Sequence, residues 1–137
     1  MLIMSVDLGL ARTGVAVSDE SLNFAFPKGV IYEKDETLLI EKICNKATEL
    51  GAGRIVVGLP KNMDGTSGER AETSKRIAEK ITERSGIETV LFDERCTTLS
   101  AHTYLDMNDV YGKKRKKTVD AVAATLILED YLRFIKK

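Results

Sequence analysis

The chain has 137 residues, 43% of them apolar, and its 21 Lys and Arg residues equal its 21 Asp and Glu residues in number. This length and apolar content suit a single domain spanning residues 1–137 and exclude a second domain of ordinary size. No apolar run approaches the ~18 residues that a membrane helix needs, and the amino terminus lacks the basic start of a signal peptide. The sequence therefore predicts a cytoplasmic protein without a membrane segment.

Cysteine and histidine are scarce, which restricts the kinds of site that the chain can build. Cys44 and Cys96 are far apart, and His102 is the single histidine. This set is too small for a structural zinc site or a disulfide framework. Both cysteines are expected to be reduced, as is usual in cytosolic proteins.

Three short apolar runs at the start of the chain predict an antiparallel meander of strands. They cover residues 2–6, 14–17 and 29–32, with a hairpin connection at 9–13 and a turn at "FPK", 26–28. A helix is expected next, because Asp35 can cap its start and Gly51 can end it.

The second half of the chain alternates strands with helices. "RIVVGLP" from Arg54 has no polar alternation, which is typical of a strand covered on both faces. A glycine-containing loop over 61–68, a helix over 69–84, a strand over 87–92 and a short helix from Thr97 or Thr98 to Leu105 are expected to follow. Residues 106–117 show no periodicity and are expected to be mobile, and the last helix is predicted from Thr118 to about 136.

This order of elements predicts an α/β fold. Strands separated by helices favour parallel pairing, whereas the meander is antiparallel. We therefore expect a mixed five-stranded sheet with helices on both faces.

Acidic residues follow the predicted strand ends. Asp7 ends the first strand, Asp93 and Glu94 end the fifth, and Asp120 lies in the first turn of the last helix. Ligands of open α/β sheets gather at the carboxyl ends of the parallel strands. Three converging carboxylates would repel one another, and Mg²⁺ or Mn²⁺ is a cofactor that would hold them ionised. Two such ions can promote phosphodiester hydrolysis, which is nuclease chemistry.

Each acid also has a purely structural interpretation. Asp7 is a possible turn residue, Glu94 can pair with Arg95, and Asp120 would favour the positive end of its helix. The metal interpretation depends on the three acids occurring together at strand ends and a helix start.

Several other residues are candidates for holding a polyanionic substrate. Arg12 lies in the same turn as Asp7 and can reach a phosphate or pair with Asp19 or Glu20, and Arg95 is similarly ambiguous. Asn62 and Thr66 offer donors in a loop whose glycines allow a phosphate to approach.

A basic run lies shortly before Asp120. It comprises Lys113, Lys114, Arg115, Lys116 and Lys117. Such a run supplies salt-dependent affinity for nucleic acid rather than sequence recognition. No aromatic residues are interleaved, so stacking on single-stranded bases is weakly supported.

Four motifs together resemble the YqgF family, also called RuvX. They are "DLGLARTGVAVSD" at 7–19, "VVGLPKNMDGTSGERA" at 56–71, "DERCTT" at 93–98 and "KKTVDAVAATLILEDYL" at 116–132. The resemblance spans nearly the whole chain. It implies an RNase H-like fold and a metal-dependent nuclease that matures the 5′ end of pre-16S ribosomal RNA, with the family's acidic residues falling on Asp7, Glu94 and Asp120. Cys96 and Ala11 depart from the common pattern without affecting an acidic position.

Alternative functions stay open at this point. The same family is related to Holliday junction resolvases, so branched DNA in recombination or repair is a second substrate. An ATP-binding protein with an Asp-x-Gly phosphate loop and a non-catalytic RNA-binding factor of the pre-ribosomal particle are rivals of other classes. Either a monomer or a homodimer is compatible with the sequence.

Overall fold

The computed structural model describes residues 1–9, 11–59, 68–93 and 112–135, and within these ranges it leaves out the side chains of residues 93 and 112–121. Five strands and three helices follow one another in this part of the chain. They are β1 (Leu2–Leu8), β2 (Arg12–Ser18), β3 (Ala25–Tyr32), α1 (Glu36–Leu50), β4 (Ala52–Leu59), α2 (Glu69–Ser85), β5 (Glu88–Asp93) and α3 (Gly112–Ile135). The predicted loop over 61–68, apart from its last residue, and the predicted short helix up to Leu105 lie outside the described residues.

All five strands form one mixed sheet in the order β3-β2-β1-β4-β5. β1 pairs with β2, and β2 with β3, in the antiparallel sense. β1 pairs with β4, and β4 with β5, in the parallel sense. The prediction of a meander joined to two parallel strands is therefore confirmed, and the carboxyl ends of β1, β4 and β5 meet at one edge.

The core has two layers, one on each face of the sheet. Met4 and Val6 of β1 belong to the cluster that contains the buried residues of α1 and α2. Ile3 belongs to the cluster that contains Ile127 and Leu128 of α3. Successive residues of β1 thus point to opposite layers, as a pleated strand requires. β4 is buried in the same two-sided way, which explains its uninterrupted apolar sequence.

The ends of α1 follow the capping chemistry of its sequence. Asp35 is the N-cap and accepts a hydrogen bond from the Leu38 amide at 2.9 Å. Gly51 ends the helix in the left-handed region with φ 72°, where a side chain would be strained. Both boundaries agree with the prediction. None of the helices within the described ranges has a stretch long and apolar enough to span a membrane.

β3 is longer than predicted and includes the segment expected to be a turn. Pro27 lies within the strand, opposite Ala16, and the register shifts by one residue between there and Gly29, which has φ 110°. β3 is an edge strand, so a proline that cannot donate a ladder hydrogen bond is tolerated there, particularly beside a bulge. The apolar pattern did not predict the first part of β3, because an edge strand does not need alternating apolar residues.

α3 also begins earlier than predicted. The helix starts at Gly112, so residues 112–117 are helical, which the sequence pattern did not predict; residues 106–111 of the same segment lie outside the described residues. Lys and Arg have high intrinsic helix propensity because their straight side chains lose little freedom in a helix. Apolar periodicity detects only the part of a helix that packs on a core, which explains why the first six residues were missed.

Candidate functional site

Asp7 is the next-to-last residue of β1, at the sheet edge where the parallel strands end. Its side chain is half-buried. Asp7 pairs with Gly14 across the antiparallel ladder. On the other side, the parallel register that joins Val6 to Val57 leads next to Gly58. Both neighbouring positions are therefore glycines, which carry no side chain.

The face on which Asp7 lies follows from its neighbours along the strand. Ile3 packs in the α3 layer, and the Ser5 hydroxyl donates a hydrogen bond to the Ala124 carbonyl of α3 at 2.7 Å. The intervening Met4 and Val6 pack in the opposite layer. Since the period of a strand is two residues, Asp7 lies on the α3 face.

Two contacts fix the direction in which α3 crosses this face. Ser5 bonds to Ala124, whereas the Tyr131 hydroxyl accepts a hydrogen bond from the Arg54 guanidinium at 3.1 Å. Arg54 is in register with Ile3, nearer the start of β1 than Ser5 is. The helix therefore runs antiparallel to β1, and its earlier turns lie toward the carboxyl end of the strand.

Arg12 lies close to Asp7 in the fold. It begins β2, where Ala16 and Ser18 lie on the α3 face, so alternation puts Arg12 on that face too. The connection between the strands is tight, because a Cβ on Gly9 would collide with the carbonyl oxygen of Arg12. The predicted nearness of Arg12 to Asp7 is thus consistent with the hairpin geometry.

One basic residue at this edge was missed by the sequence interpretation. Arg70, in the first turn of α2, donates from Nη2 to the Leu8 carbonyl oxygen at 3.1 Å. The contact links α2 to the end of β1, one residue beyond Asp7. No spacing rule signals it, because the two residues are distant in sequence and meet only through the fold.

A groove of about 250 Å³ opens next to the β1–β2 connection, lined by Leu8, Gly9, Leu39 and Arg70 among others. Leu8 and Leu39 belong to the α1–α2 layer. The groove therefore lies on the opposite face of the sheet from Asp7 and is separate from the acidic position.

The remaining predicted site residues are described only in part or not at all. Position 120 lies in the helical backbone of α3, as do the five basic residues 113–117. Asn62, Thr66, Glu94 and Arg95 lie outside the described residues. Among the side chains that the structure does describe, no group of three His, Cys, Asp or Glu residues could hold a metal ion. The side chains of Glu94 and Asp120, two of the three predicted ligands, are not among those described.

Comparison with known protein families decides which family the chain belongs to. A family model described as "RuvX: Holliday junction resolvase" matches residues 1–134. The chain belongs to the RuvX family. The resemblance read from the four sequence motifs is thereby confirmed.

Two curated RuvX relatives match over almost their whole length. A protein of Bacillus cytotoxicus is 40% identical over 136 residues, covering 96% of this chain and 98% of its own. One of Carboxydothermus hydrogenoformans is 39% identical over 137 residues, covering 100% and 99%. Each bears the name "Putative pre-16S rRNA nuclease".

Two junction resolvases are among the solved structures that resemble this chain. The RuvC protein of Thermus thermophilus, in complex with Holliday junction substrate, matches with a TM-score of 0.63 and 12% identity over 98% of this chain and 96% of its own. The Fowlpox virus resolvase, in complex with junction DNA, matches with a TM-score of 0.63 and 13% identity over 100% of both chains. At this identity the likeness shows the fold alone, and it confirms the RNase H-like fold of the RuvX chain.

Proposed function

We propose that this RuvX chain is a metal-dependent nuclease that hydrolyses phosphodiester bonds in maturing the 5′ end of pre-16S ribosomal RNA. The names of its relatives support this substrate. The activity would reside in a single cytoplasmic domain of residues 1–137, acting on the free precursor or on the pre-ribosomal particle.

One observation carries the catalytic part of the proposal, namely the alignment of α3 with β1. Asp7 lies two residues after Ser5 in β1, a rise of about 6.6 Å along the strand. Position 120 lies four residues before Ala124 in α3. It is therefore about 6 Å away along the helix axis and on nearly the same face of the helix. Because α3 runs antiparallel to β1 and Ser5 contacts Ala124, these equal steps support the meeting of Asp7 and Asp120.

The alternation of β5 supports Glu94 as the third acid. Val90 and Phe92 pack in the α3 layer. The next position with the same parity is 94, so the alternation favours Glu94 over Asp93 and Arg95 for the α3 face. Glu94 would then join Asp7 and Asp120 at the edge where β1, β4 and β5 end.

The residues fit a hard divalent cation. Asp7, Glu94 and Asp120 offer only oxygen ligands, which Mg²⁺ and Mn²⁺ prefer. Gly14 and Gly58, at the neighbouring strand positions, add no side chain that would compete with a ligand of the Asp7 carboxylate. When bound, the metal supplies the positive charge that activates a water and stabilises the leaving oxygen of a phosphodiester.

Basic and polar side chains of this chain would hold and orient the RNA. Arg12 would bind a phosphate oxygen on the α3 face beside Asp7, since both lie at the same end of the first hairpin. Asn62, Thr66 and Arg95 would add contacts from the two neighbouring connections. The basic run at 113–117 would hold the polyanion through charge, which makes the affinity dependent on salt.

A second candidate substrate is a four-way DNA junction. The description of the matching family as a Holliday junction resolvase favours it. Both activities would use the same acids and metal, because hydrolysis of either backbone involves the same in-line displacement at phosphorus.

The two substrates can be separated by direct cleavage assays. The purified chain is offered a pre-16S RNA fragment with its 5′ extension, a four-way junction and ATP, each with Mg²⁺, with Mn²⁺ and with EDTA. The proposal predicts metal-dependent cleavage of the RNA precursor. Asp7→Asn should slow it at least about 100-fold, since even outer-shell partners of metal ligands typically matter 10–100-fold. Asp130→Asn, at the other end of α3, is the matched control and should cleave normally.

The contrary outcomes are specific. Cleavage of the junction alone would favour the resolvase function. ATP hydrolysis without cleavage of nucleic acid would favour the phosphate-loop alternative, and RNA binding without any cleavage would favour a non-catalytic assembly factor. Full activity of Asp7→Asn would refute the metal mechanism.

A further inference from the structure

Ser5 is a polar residue in the middle of the apolar core. Its relative exposure is 0%, and its neighbours in β1, Met4 and Val6, are equally buried. A buried hydroxyl is costly unless it is hydrogen-bonded, and an alanine here would avoid that cost. Packing alone therefore does not explain a serine at this position.

The Ser5 hydroxyl donates to the carbonyl oxygen of Ala124 at 2.7 Å, joining residues 119 positions apart in sequence. In a helix that carbonyl is normally occupied by the amide four residues later. The serine bond uses its second acceptor site and is therefore additional to the helix's own ladder. It connects β1 directly to the backbone of α3.

The position of this bond matters for the proposed site. Ser5 precedes Asp7 by one strand repeat on the same face, and Ala124 follows position 120 by about one helical turn. The other contacts of α3 in this layer are largely apolar, from residues such as Ile127 and Leu128. Apolar contacts are non-directional, so they do not set the height and rotation of a helix as closely as a short hydrogen bond does.

We propose that Ser5 is a positioning residue that sets α3 against β1 so that Asp120 meets Asp7 at the metal. This role rests on the function proposed above. Ser5 does not touch the metal or the substrate itself. It acts through the backbone of Ala124.

Ser18 provides a matched control within the same layer. It is also buried, at 3% relative exposure, and its hydroxyl accepts a hydrogen bond from the Ile3 amide at 2.9 Å. That bond joins β2 to the start of β1, at the other end of the strand from Asp7. Ser18→Ala therefore removes a buried serine hydrogen bond without removing a bond to α3.

The test compares equilibrium Mn²⁺ affinity, measured by electron paramagnetic resonance of free Mn²⁺, with thermal stability. Ser5→Ala and Ser18→Ala should lower the melting temperature to similar extents. Ser5→Ala should also weaken Mn²⁺ binding about 10-fold, the lower end of the effect of outer-shell partners. Ser18→Ala should leave the affinity as in the parent. Ser5→Cys has a side chain of similar size with a weak donor, so its Mn²⁺ affinity should fall between those of the parent and Ser5→Ala. This variant replaces Ser5→Ala in the test if Ser5→Ala does not fold.

The failures of the two proposals are distinguishable. Equal Mn²⁺ affinities of the Ser5 and Ser18 variants, with a parent that binds Mn²⁺ and an Asp7→Asn that does not, would overturn the role of Ser5 alone. A parent that binds no Mn²⁺ would overturn the proposed function and this inference with it.

Discussion

The two faces of the sheet are held to their helices by different kinds of contact. On the α1–α2 face, the buried contacts between sheet and helices are mainly apolar, and exposed ion pairs join helix to helix, as between Glu36 and Arg76 at 2.7 Å. On the α3 face, polar side chains of the sheet bond directly to the helix, from Ser5 to Ala124 and from Arg54 to Tyr131.

Under the proposed function, the two layers have different requirements. An apolar layer stabilises the fold while tolerating small shifts, because its interactions lack direction. A layer with directed hydrogen bonds fixes one helix relative to one strand. The proposed acids Asp7 and Asp120 come from that strand and that helix. Metal binding would therefore need α3 to be placed accurately against β1, whereas the α1–α2 layer needs only to keep the fold stable.

The largest expected effects compare one core truncation in each layer. Ile43 of α1 and Ile127 of α3 are both fully buried. Ile43→Ala and Ile127→Ala should each lower the free energy of unfolding by about 2–5 kcal/mol, measured by urea denaturation. Cleavage per folded molecule should be unchanged in Ile43→Ala and several-fold slower in Ile127→Ala. Equal activities of the two variants would contradict the proposed difference between the two layers.

The next largest expected effect is on the salt dependence of RNA binding by the basic run at 113–117, which is helical. At about 100° per residue, five consecutive positions pass once around a helix, so only some of them can follow one phosphate backbone. Lys113 and Lys117 are four apart on one side. Replacing both with Gln should reduce the slope of log affinity against log salt by about 1.4 to 1.8.

The control for this charge effect is a pair with the same spacing in the other layer. Lys42 and Lys46 lie four apart on α1 and are paired with Glu33 and Glu49. Their double Gln variant should bind RNA with the parent's salt dependence. If both double variants lowered the slope equally, general charge rather than the start of α3 would account for binding.

The smallest expected effect on stability comes from removing an ion pair between α1 and α2. The hydrogen bond from Arg76, together with that from Lys80, lowers the pKa of Glu36 below its usual value near 4.5. A depressed pKa stabilises the fold above the unfolded-state pKa, and this contribution is lost as the pH falls through the folded-state pKa. Glu36→Gln should cost at most about 1 kcal/mol at neutral pH, as exposed pairs do.

The pH dependence checks the sign of that effect. Thermal melts of Glu36→Gln and parent should differ slightly at pH 7 and converge below the folded-state pKa of Glu36. Cleavage at neutral pH should not change, because these pairs lie in the α1–α2 layer. A difference that grew in acid would contradict the assignment.

Local signals in the sequence predicted much of the fold. Capping residues located both ends of α1, at Asp35 and Gly51, and the uninterrupted apolar run located β4. The extent of β3 through Pro27 and the start of α3 at Gly112 were missed. An edge strand and a basic helical turn carry no apolar period, so only pairing and propensity reveal them.

The sequence suggested the three candidate acids but not how they are arranged in the fold. Asp7 was recognised from its place after an apolar strand, before its face was known. The bonds from Ser5 to Ala124 and from Arg70 to Leu8 connect residues that no local pattern relates. Such contacts depend on the direction of α3 and on the packing of α2, which emerge only when the whole chain has folded.

The most direct test of the central claim, that Asp7 and Asp120 bind the same metal, is a double-mutant cycle in Mn²⁺ affinity. Asp7→Asn, Asp120→Asn and the double variant are compared with the parent by electron paramagnetic resonance. If the two carboxylates share one ion, each single variant should weaken binding at least about 100-fold, and the double variant should lose much less affinity than the product of the two single losses. Affinity equal to the parent's in either single variant, or losses that simply multiply, would contradict a shared site.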